Sequence, residues 1–498
     1  MEHPVSTTPA ATTAPTGTGN PWAAVWSLVI GFFMILVDAT IVVIANPTIQ
    51  RELDTTEAGV IWVTSAYLLA YAVPLLITGR LGDRFGPKNL YLIGLAIFTA
   101  ASLWCGLSGE LGMLIAARVV QGLGASLMTP QTMAVITRIF APDKRGPAMA
   151  VWGAASGVAL LVGPILGGIL VDALGWEWIF FINVPVGVIA FVLAARFVPR
   201  LETHAHSFDI PGVILSAVGL FLIVFGLQEA HSEWFAGWWI VSILVGLVAL
   251  GGFLLWQNAQ KGEPLLPLRL FRDRNFSLGN SVIFVVGFSI TAMGLPMAYY
   301  TQVAKGLTPT QSALLLVPLA LMSLVLAPVV GRLVGRLHPR VLVVPGLLLF
   351  SASLFLYAWM TIAQLDVLWL LVPITLQGIG QAGVWAPVST TTVRNLDIRD
   401  AGAGSGVYNT MRQIGGVLGS AVMAAVITAT IAAQFPGADS ADFRPTGELP
   451  PQPVVDGLST AFGQSLLVPA AAILVGVVVA AFFAKPVARA WGAPPPTE

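Results

Sequence analysis

Hydrophobic residues are concentrated in long runs that are separated by short polar connections. The hydrocarbon core of a membrane is about 30 Å thick, so a spanning helix needs roughly 20 consecutive apolar residues. Fourteen runs meet this requirement, near residues 22–46, 58–78, 89–107, 111–137, 147–170, 178–198, 211–228, 236–256, 276–300, 311–331, 341–360, 366–388, 403–432 and 461–484. None shows the alternation of a membrane barrel strand, and backbone groups in lipid must pair within their own segment. The pattern predicts an all-α integral membrane protein with fourteen transmembrane helices.

Basic residues mark the two sides of the membrane. Nearly all of the 24 Lys and Arg lie in every second connection and in the C-terminal tail. Since cytoplasmic connections carry an excess of Lys and Arg, both termini are expected in the cytoplasm, with the chain in the cell membrane. Residues 1–21 have neither a basic segment nor the short apolar core of a signal peptide, so we expect a disordered cytoplasmic tail. Residues 433–460 are expected to form an external loop and residues 485–498 a second cytoplasmic tail.

Composition excludes several classes of protein. Only 10% of the residues are charged, whereas a soluble globular chain carries about 25%. The 24 basic and 24 acidic residues balance, which excludes a nucleic-acid partner bound through its phosphates. Neither a phosphate-binding loop for ATP nor a nucleophile–base pair of an enzyme is visible. With Cys105 as the single cysteine, we expect no metal site and no cofactor.

Two motifs recur in the two halves of the chain. GRLGDRFGPK at residues 79–88 matches GRLVGRLHPR at residues 331–340, and QGLG at residues 121–124 matches QGIG at residues 377–380. The similar offsets map the second span onto the tenth and the fourth onto the twelfth. We therefore predict six-helix bundles at residues 22–200 and 276–484, with two inserted helices and their linkers at residues 201–275. Repeated halves form a midplane binding site in many transporters.

Asp38 is the only acidic residue deep within an apolar run. An acid at the bilayer centre costs about 2.5–3.5 kcal/mol on insertion scales, and such residues mark ion pathways and proton relays. Because burial disfavours the charged form, Asp38 is a candidate for reversible protonation. Arg118 is the expected partner, since a buried guanidinium keeps its charge. The alternatives are a structural acid held by a neighbouring helix and a static ion pair.

Two glycine-containing segments are candidates for conformational change. Gly79, Asp83, Arg84 and Gly86 lie in a tight inside turn whose charges could lock one state or only anchor the topology. The fifth run contains Gly157, Gly163, Pro164, Gly167 and Gly168. Small residues allow close helix contact and a proline favours a bend, which suits either a sliding helix or ordinary tight packing.

Several polar and aromatic residues are candidates for lining a substrate cavity. They are Trp62, Tyr67, Gln121, Trp152, Asn409 and Arg412. Tryptophan and tyrosine are also common at membrane interfaces, and Arg412 could instead extend toward an interface.

The chain resembles the major facilitator superfamily, and within it the fourteen-span drug:proton antiporters, over roughly residues 22–484. The resemblance is carried by residues 79–88, by RVVQGLGAS at 118–126, by GPILGG at 163–168, by WEWIFFINVPVG at 176–187 and by SGVYNTMRQIGGVLG at 405–419. It implies that Asp38 is the acidic position tied to proton coupling and that Arg118 takes part in proton transfer. It also implies that Asp83 belongs to a gating loop, and that Pro164 with its glycines forms the antiporter hinge.

The chain departs from the family pattern at a few positions. Val43 and Asn46 replace the usual Asn and Leu of the first span, and Glu177 replaces a basic residue. In the second half, Gly335 stands where Asp83 stands in the first, so that loop lacks its acid. These differences affect the outer pocket and make the two halves unequal.

The sequence predicts a proton-coupled antiporter that exports drugs or other amphipathic organic molecules by alternating access. The expected partners are a small amphipathic substrate, protons and membrane lipids, with the proton gradient instead of ATP as energy source. A dedicated exporter of one endogenous metabolite or antibiotic is an alternative. A channel or sensor is a further alternative, which would need no proton site within the membrane.

Overall fold

The computed structural model describes residues 20–140, 145–201, 203, 209–230, 237–260, 264–334, 336–396, 401–436 and 450–484. Regular structure in these ranges is helical throughout. The α-helices are α1 (Pro21–Glu52), α2 (Glu57–Phe85), α3 (Pro87–Gly106), α4 (Leu111–Ile139), α5 (Arg145–Leu174), α6 (Trp178–Phe181), α7 (Asn183–Phe197), α8 (Ile210–Gln228), α9 (Trp238–Ala259), α10 (Arg274–Tyr299), α11 (Pro309–Leu315), α12 (Val317–Val334), α13 (Pro339–Ile362), α14 (Leu371–Ala382), α15 (Trp385–Val393), α16 (Ala401–Gln434) and α17 (Gln452–Ala480). Two 3₁₀ turns, Leu268–Arg272 and Val367–Leu370, and a π-helical turn, Tyr300–Ala304, extend or precede them.

Each apolar run of the sequence coincides with one helix or with two consecutive helices. In the described part of the chain, 12 segments are long and apolar enough to cross a membrane, as judged by length and composition. The runs of α2 and α5 contain shorter apolar stretches, Gly59–Leu75 and Val162–Leu174. The all-helical membrane class is therefore confirmed with 12 candidate spans, and the count of fourteen crossings stays a prediction.

Three predicted spans are interrupted, which the apolar pattern did not indicate. The breaks separate α6 from α7, α11 from α12 and α14 from α15. In each case a proline follows within the first three positions of the next helix, at Pro185, Pro318 and Pro387. Proline has no N–H for the preceding turn, so the helical hydrogen bonding stops just before it. Hydropathy does not reveal these breaks, because one proline within an apolar run hardly lowers the mean hydropathy of that run.

The predicted external loop at residues 433–460 is shorter than expected. Helix α16 continues to Gln434, and α17 begins at Gln452, preceded by Pro451. Prolines predicted an irregular loop here, but proline is also favoured in the first turn of a helix, where its missing N–H is not needed. The centre of the loop, residues 437–449, lies outside the described residues, as do most of the two predicted tails.

The helices pack in two groups. In the first half, α1 packs on α5 and α7, and α4 packs on α2 and α3. In the second half, α10 packs on α16 and α17, and α13 packs on α14 and α17. The halves meet where α2 contacts α16, where α1 contacts α10, and where α5 contacts α11 and α12. The pair α8 and α9 stands outside both groups, with α8 against α2 and α16.

Candidate functional site

Asp38 lies midway along α1 with none of its surface exposed. Its carboxylate accepts three hydrogen bonds from three other positions in the first half. Arg118 Nη1 donates to Oδ2 at 2.6 Å, and Gln121 Nε2 and Asn183 Nδ2 each donate to Oδ1 at 2.8 Å. A carboxylate buried in this way is stabilised by a charge partner and by amide donors together.

Arg118 of α4 is 1% exposed and uses several of its donors. Beside the bond to Asp38, Nη1 donates to Gln121 Oε1 at 2.5 Å, and Nε donates to the carbonyl of Val63 in α2 at 3.1 Å. The guanidinium carbon lies 4.0 Å from the ring centroid of Tyr67 and 5.6 Å from that of Phe180. Aromatic faces attract a guanidinium, so the cation is enclosed by protein on several sides.

Two residues that the sequence did not single out complete this cluster. Asn183 is the first residue of α7. Gln121 Nε2 and Asn183 Nδ2 donate to the hydroxyl oxygen Oγ of Ser102 in α3, at 2.8 Å and 3.5 Å. Both are buried. Asn183 could have been identified from the sequence, because it is an amide within the motif at residues 176–187. Ser102 could not, since serine in an apolar helix usually bonds to its own backbone.

Chemically, the cluster accommodates a buried carboxylate. Arg118 neutralises its charge, and the amides of Gln121 and Asn183 satisfy the second oxygen. The site is closed, because Asp38 and Arg118 are almost fully buried. The helices that supply the cluster, α1, α2, α3, α4, α6 and α7, all belong to the first half of the chain.

The predicted gating loop forms the sharp connection between α2 and α3. Gly86 has φ of 87°, a left-handed conformation that favours glycine, and it ends α2 directly before Pro87 starts α3. Arg84 is exposed and lies over the ring of Phe85. Gly79 is half-buried, and the side chain of Asp83 lies outside the described part.

The predicted hinge glycines of α5 lie at two different contacts. Gly163 faces Thr40 and Gly167 faces Ile41, so α1 approaches closely on this side. Gly168 lies against the backbone of Thr310 at the start of α11, in the other half of the chain. Pro164 lies inside the helix between these contacts, and Gly157 falls on the part of α5 whose side chains are not described.

The cavity candidates are distributed over three places. Tyr67 and Gln121 belong to the Asp38 cluster. Trp62 points instead to the inserted helix α8, where its indole N–H donates to Glu229 Oε1 at 3.1 Å. The remaining described candidates, Asn409 and Arg412, are half-buried on α16. The side chain of Trp152 lies outside the described residues.

Together, the apolar helices and the enclosed charged cluster define a multi-pass membrane protein with a buried ionisable site. Residues 28–420 match the sequence profile described as the Major Facilitator Superfamily. The chain belongs to this family of membrane transporters.

Two relatives place the chain within the family. It is 51% identical, over 93% of its length and 81% of the relative's, to a protein of Mycobacterium tuberculosis described as an uncharacterized MFS-type transporter. It is 36% identical, over 84% of its length and 78% of the relative's, to the tetracenomycin C resistance and export protein of Streptomyces glaucescens.

Solved structures support the fold. A bacterial homologue of the human lysosomal transporter Spinster superimposes with a TM-score of 0.62 at 14% identity, covering 93% of this chain and 97% of that one. At this identity the likeness concerns the fold alone. It agrees with the packing of α1–α7 and α10–α17 as two groups of helices.

Proposed function

We propose that the protein is a proton-coupled antiporter that exports drugs or other amphipathic organic molecules across the cell membrane by alternating access. In this proposal all fourteen apolar runs cross the membrane and both termini lie in the cytoplasm. The observation that carries it is the buried Asp38–Arg118 pair, with its 2.6 Å contact inside the first half of a transporter fold. Intramembrane acids of this kind are characteristic of proton relays.

Coupling requires that protonation of Asp38 changes how the halves meet. Asp38 lies on α1, and the same helix contacts the second half directly, since Gln302 Nε2 donates to the carbonyl of Ile44 at 3.0 Å. Protonation removes the charge that holds Arg118, which frees α1 and α4 to shift relative to each other. A proton taken up from the outside would thus favour the state that releases substrate outward.

The two glycine-containing segments have conformational roles in this proposal. The connection at Gly79, Asp83, Arg84 and Gly86 gates the cytoplasmic side. The hinge at Gly163, Pro164, Gly167 and Gly168 lets α5 move between α1 and α11. The close contact of Gly168 with Thr310 supports this, because it joins the two halves.

The direction of transport is supported by the relative named for resistance and export of tetracenomycin C. The same relative favours a second candidate function, a dedicated exporter of one antibiotic or metabolite, because it is named for a single compound. Resistance profiles of a strain that overexpresses this protein separate the two. Protection against chemically unrelated compounds supports a broad exporter, and protection against one structural class supports a dedicated one.

The central experiment compares Asp38→Asn with wild type in proteoliposomes that carry an imposed proton gradient. Asparagine keeps the size of the side chain and its hydrogen bonding but cannot exchange a proton. We expect normal insertion and loss of gradient-driven export in Asp38→Asn, while Asp456→Asn, which changes an exposed acid of α17, transports normally. Undiminished gradient-driven export by Asp38→Asn contradicts the proposal.

A further inference from the structure

The charges deep in the membrane do not balance. Asp38 and Arg118 neutralise each other at 2.6 Å. Arg412, within the apolar helix α16, is a second cation. In the described part of the chain only two ion pairs occur, Asp38–Arg118 and Arg51–Glu52, and Arg412 is in neither. Among the described residues, Arg412 is therefore a cation in an apolar helix without an ion-pair partner.

On the packed helix α2, the acidic position toward the C-terminal end of the helix is remote from Tyr71. Residue 83 lies more than three helical turns beyond Tyr71, which is roughly 18 Å at 1.5 Å per residue. Arginine keeps its proton even when buried, so the charge cannot be lost by deprotonation.

Arg412 lies where the two halves meet. Its backbone packs against Gly287 of α10. From the first half, α2 packs on α16, and Ile414 of α16 packs on the buried cluster that contains Tyr71. Residues four apart share one face of a helix, so Tyr408 and Arg412 point to the same region.

Tyr408 offers a second group for the same ligand. Its side chain is 8% exposed, and its hydroxyl has no hydrogen-bond partner in the described structure. Buried hydroxyls are normally paired, so that of Tyr408 can donate to an acceptor that is not part of the chain. A carboxylate or phenolate would accept from both the guanidinium and the hydroxyl.

We infer that Arg412 and Tyr408 form an anion site between the two halves, and that the transported molecules are organic acids carrying a carboxylate or phenolate on an apolar body. This inference rests on the proposed export function and names its substrate class. A cationic amphiphile is disfavoured, because the low dielectric of the membrane interior strengthens repulsion by an unpaired guanidinium. A neutral molecule gains no charge attraction from this guanidinium.

The charge of the substrate changes the driving force. For each proton exchanged inward, export of an anion moves one more charge than export of a neutral molecule. A potential that is negative inside therefore accelerates export of the acid more than export of its neutral ester. This gives a readout that a purely structural arginine would not affect.

The test uses three probes on one scaffold: dansylglycine as carboxylate, its methyl ester as neutral form and dansyl-ethylenediamine as ammonium form. Binding to purified protein is measured by fluorescence anisotropy, and transport with proton flux is measured in proteoliposomes. We expect wild type to prefer the carboxylate by about tenfold or more, the usual weight of a hydrogen bond to a charged group. Arg412→Gln should lose this preference and Arg412→Lys should keep most of it.

Two further variants define the site. Tyr408→Phe removes only the hydroxyl, and we expect weaker binding of the carboxylate with unchanged binding of the ester. Arg332→Gln removes an exposed cation at the end of α12 and should behave as wild type. Failure to bind the carboxylate, equal binding of all three probes, or an acid preference that survives in Arg412→Gln overturns the inference.

The outcomes separate this inference from the proposed function. Proton-coupled transport of the ester or the ammonium probe without any acid preference supports the antiporter and overturns the anion site. An acid preference in binding that depends on Arg412, with no proton flux for any probe, supports the anion site and contradicts proton coupling.

Discussion

The carboxylate of Asp38 accepts hydrogen bonds from residues of two other helices, α4 and α7. Gln121 lies one turn after Arg118, so α4 supplies both a charge and an amide. Asn183 adds an amide from α7. Satisfied polar networks of this kind are rigid, while a partly satisfied one is costly. The cluster should therefore be sensitive to the loss of any single member.

Arg118→Ala should destabilise the protein more than removal of both charges. The single variant leaves the carboxylate of Asp38 buried without a counter-charge, which costs about 3–5 kcal/mol. The double variant Asp38→Asn/Arg118→Ala removes that charge and should recover part of the loss. Thermal unfolding of the purified proteins in detergent measures the difference. Equal midpoints for the single and the double variant would show that the pair is not energetically coupled.

Asn183→Ala should lower the free energy of unfolding by about 1–3 kcal/mol, because the buried Oδ1 of Asp38 loses one of its two donors. The matched control is Asn280→Ala in α10, a buried asparagine that donates to its own helix at Phe276. We expect a smaller loss there, since the bond to Phe276 is local. If both variants lose the same stability, Asn183 has no special role beside Asp38.

Residue-scale prediction from sequence succeeded where a residue is exceptional in its run. Asp38 and Arg118 are charges in apolar surroundings, and the structure brings them together. Trp62 and Gln121 were both assigned to a cavity, but Trp62 faces α8 and Gln121 binds Asp38. Composition cannot tell such cases apart, because the direction of a side chain depends on the rotation of its helix in the bundle.

At the scale of elements, α5 is one of the helices that contact both halves of the chain. Gly163 and Gly167 bring it close to α1, and Gly168 brings it against the backbone of α11. Near the same end, the carboxylate of Asp172 accepts a hydrogen bond from Thr310 N at 2.9 Å. These contacts join the two halves near the C-terminal end of α5, which the predicted topology places on the external side.

Gly168→Ala should therefore weaken closure on that side. An added Cβ meets backbone atoms of Pro309 and Thr310, which cannot rotate away as a side chain can. Spin labels at Ala173→Cys and Leu314→Cys, both in a Cys105→Ser background, report the separation of α5 and α11.

We expect longer label distances in Gly168→Ala than in the unsubstituted labelled protein. Gly251→Ala in α9 is the matched control, because its Cβ would meet no atom within 4 Å. An unchanged distance distribution in Gly168→Ala would show that the close contact does not limit closure.

Hydropathy predicted where the helices lie, but it did not predict where a helix is interrupted. The pattern placed helices on the predicted runs, but the breaks before α7, α12 and α15 depend on Pro185, Pro318 and Pro387. At Pro453 the same residue type lies in the first turn of α17, and the helix shortens the predicted loop. Proline has opposite effects inside and at the start of a helix, so its position relative to the helix end decides the outcome.

At the scale of the whole molecule, the pair α8 and α9 packs outside the two groups of helices. Helix α9 is the least buried of the candidate spans. Only 17% of its apolar stretch is buried inside the protein, which fits a helix surrounded by lipid. Asp209 ties the pair together at its predicted cytoplasmic end, where Trp256 Nε1 donates to its Oδ1 at 2.6 Å. This hydrogen bond therefore holds α8 and α9 together at that end.

Reporter fusions test the proposed topology. We expect alkaline phosphatase inserted within residues 231–236, between α8 and α9, to be active, because that connection should lie outside. A fluorescent protein inserted within residues 204–208, before α8, should fold in the cytoplasm. Reversed activities would show that the pair does not cross the membrane in the proposed direction.

The position of α8 has a consequence for how an amphiphile enters. Helix α8 packs on both α2 and α16, and the ring of Trp62 lies tilted against that of Phe225, with ring centroids 6.1 Å apart. One seam between the halves is thus screened from the surrounding lipid, while the opposite seam, along α5 and α12, has no such cover among the described helices. We therefore expect a molecule dissolved in the bilayer to enter the protein only through the seam along α5 and α12. Loading from the membrane would then depend on the α5–α12 side.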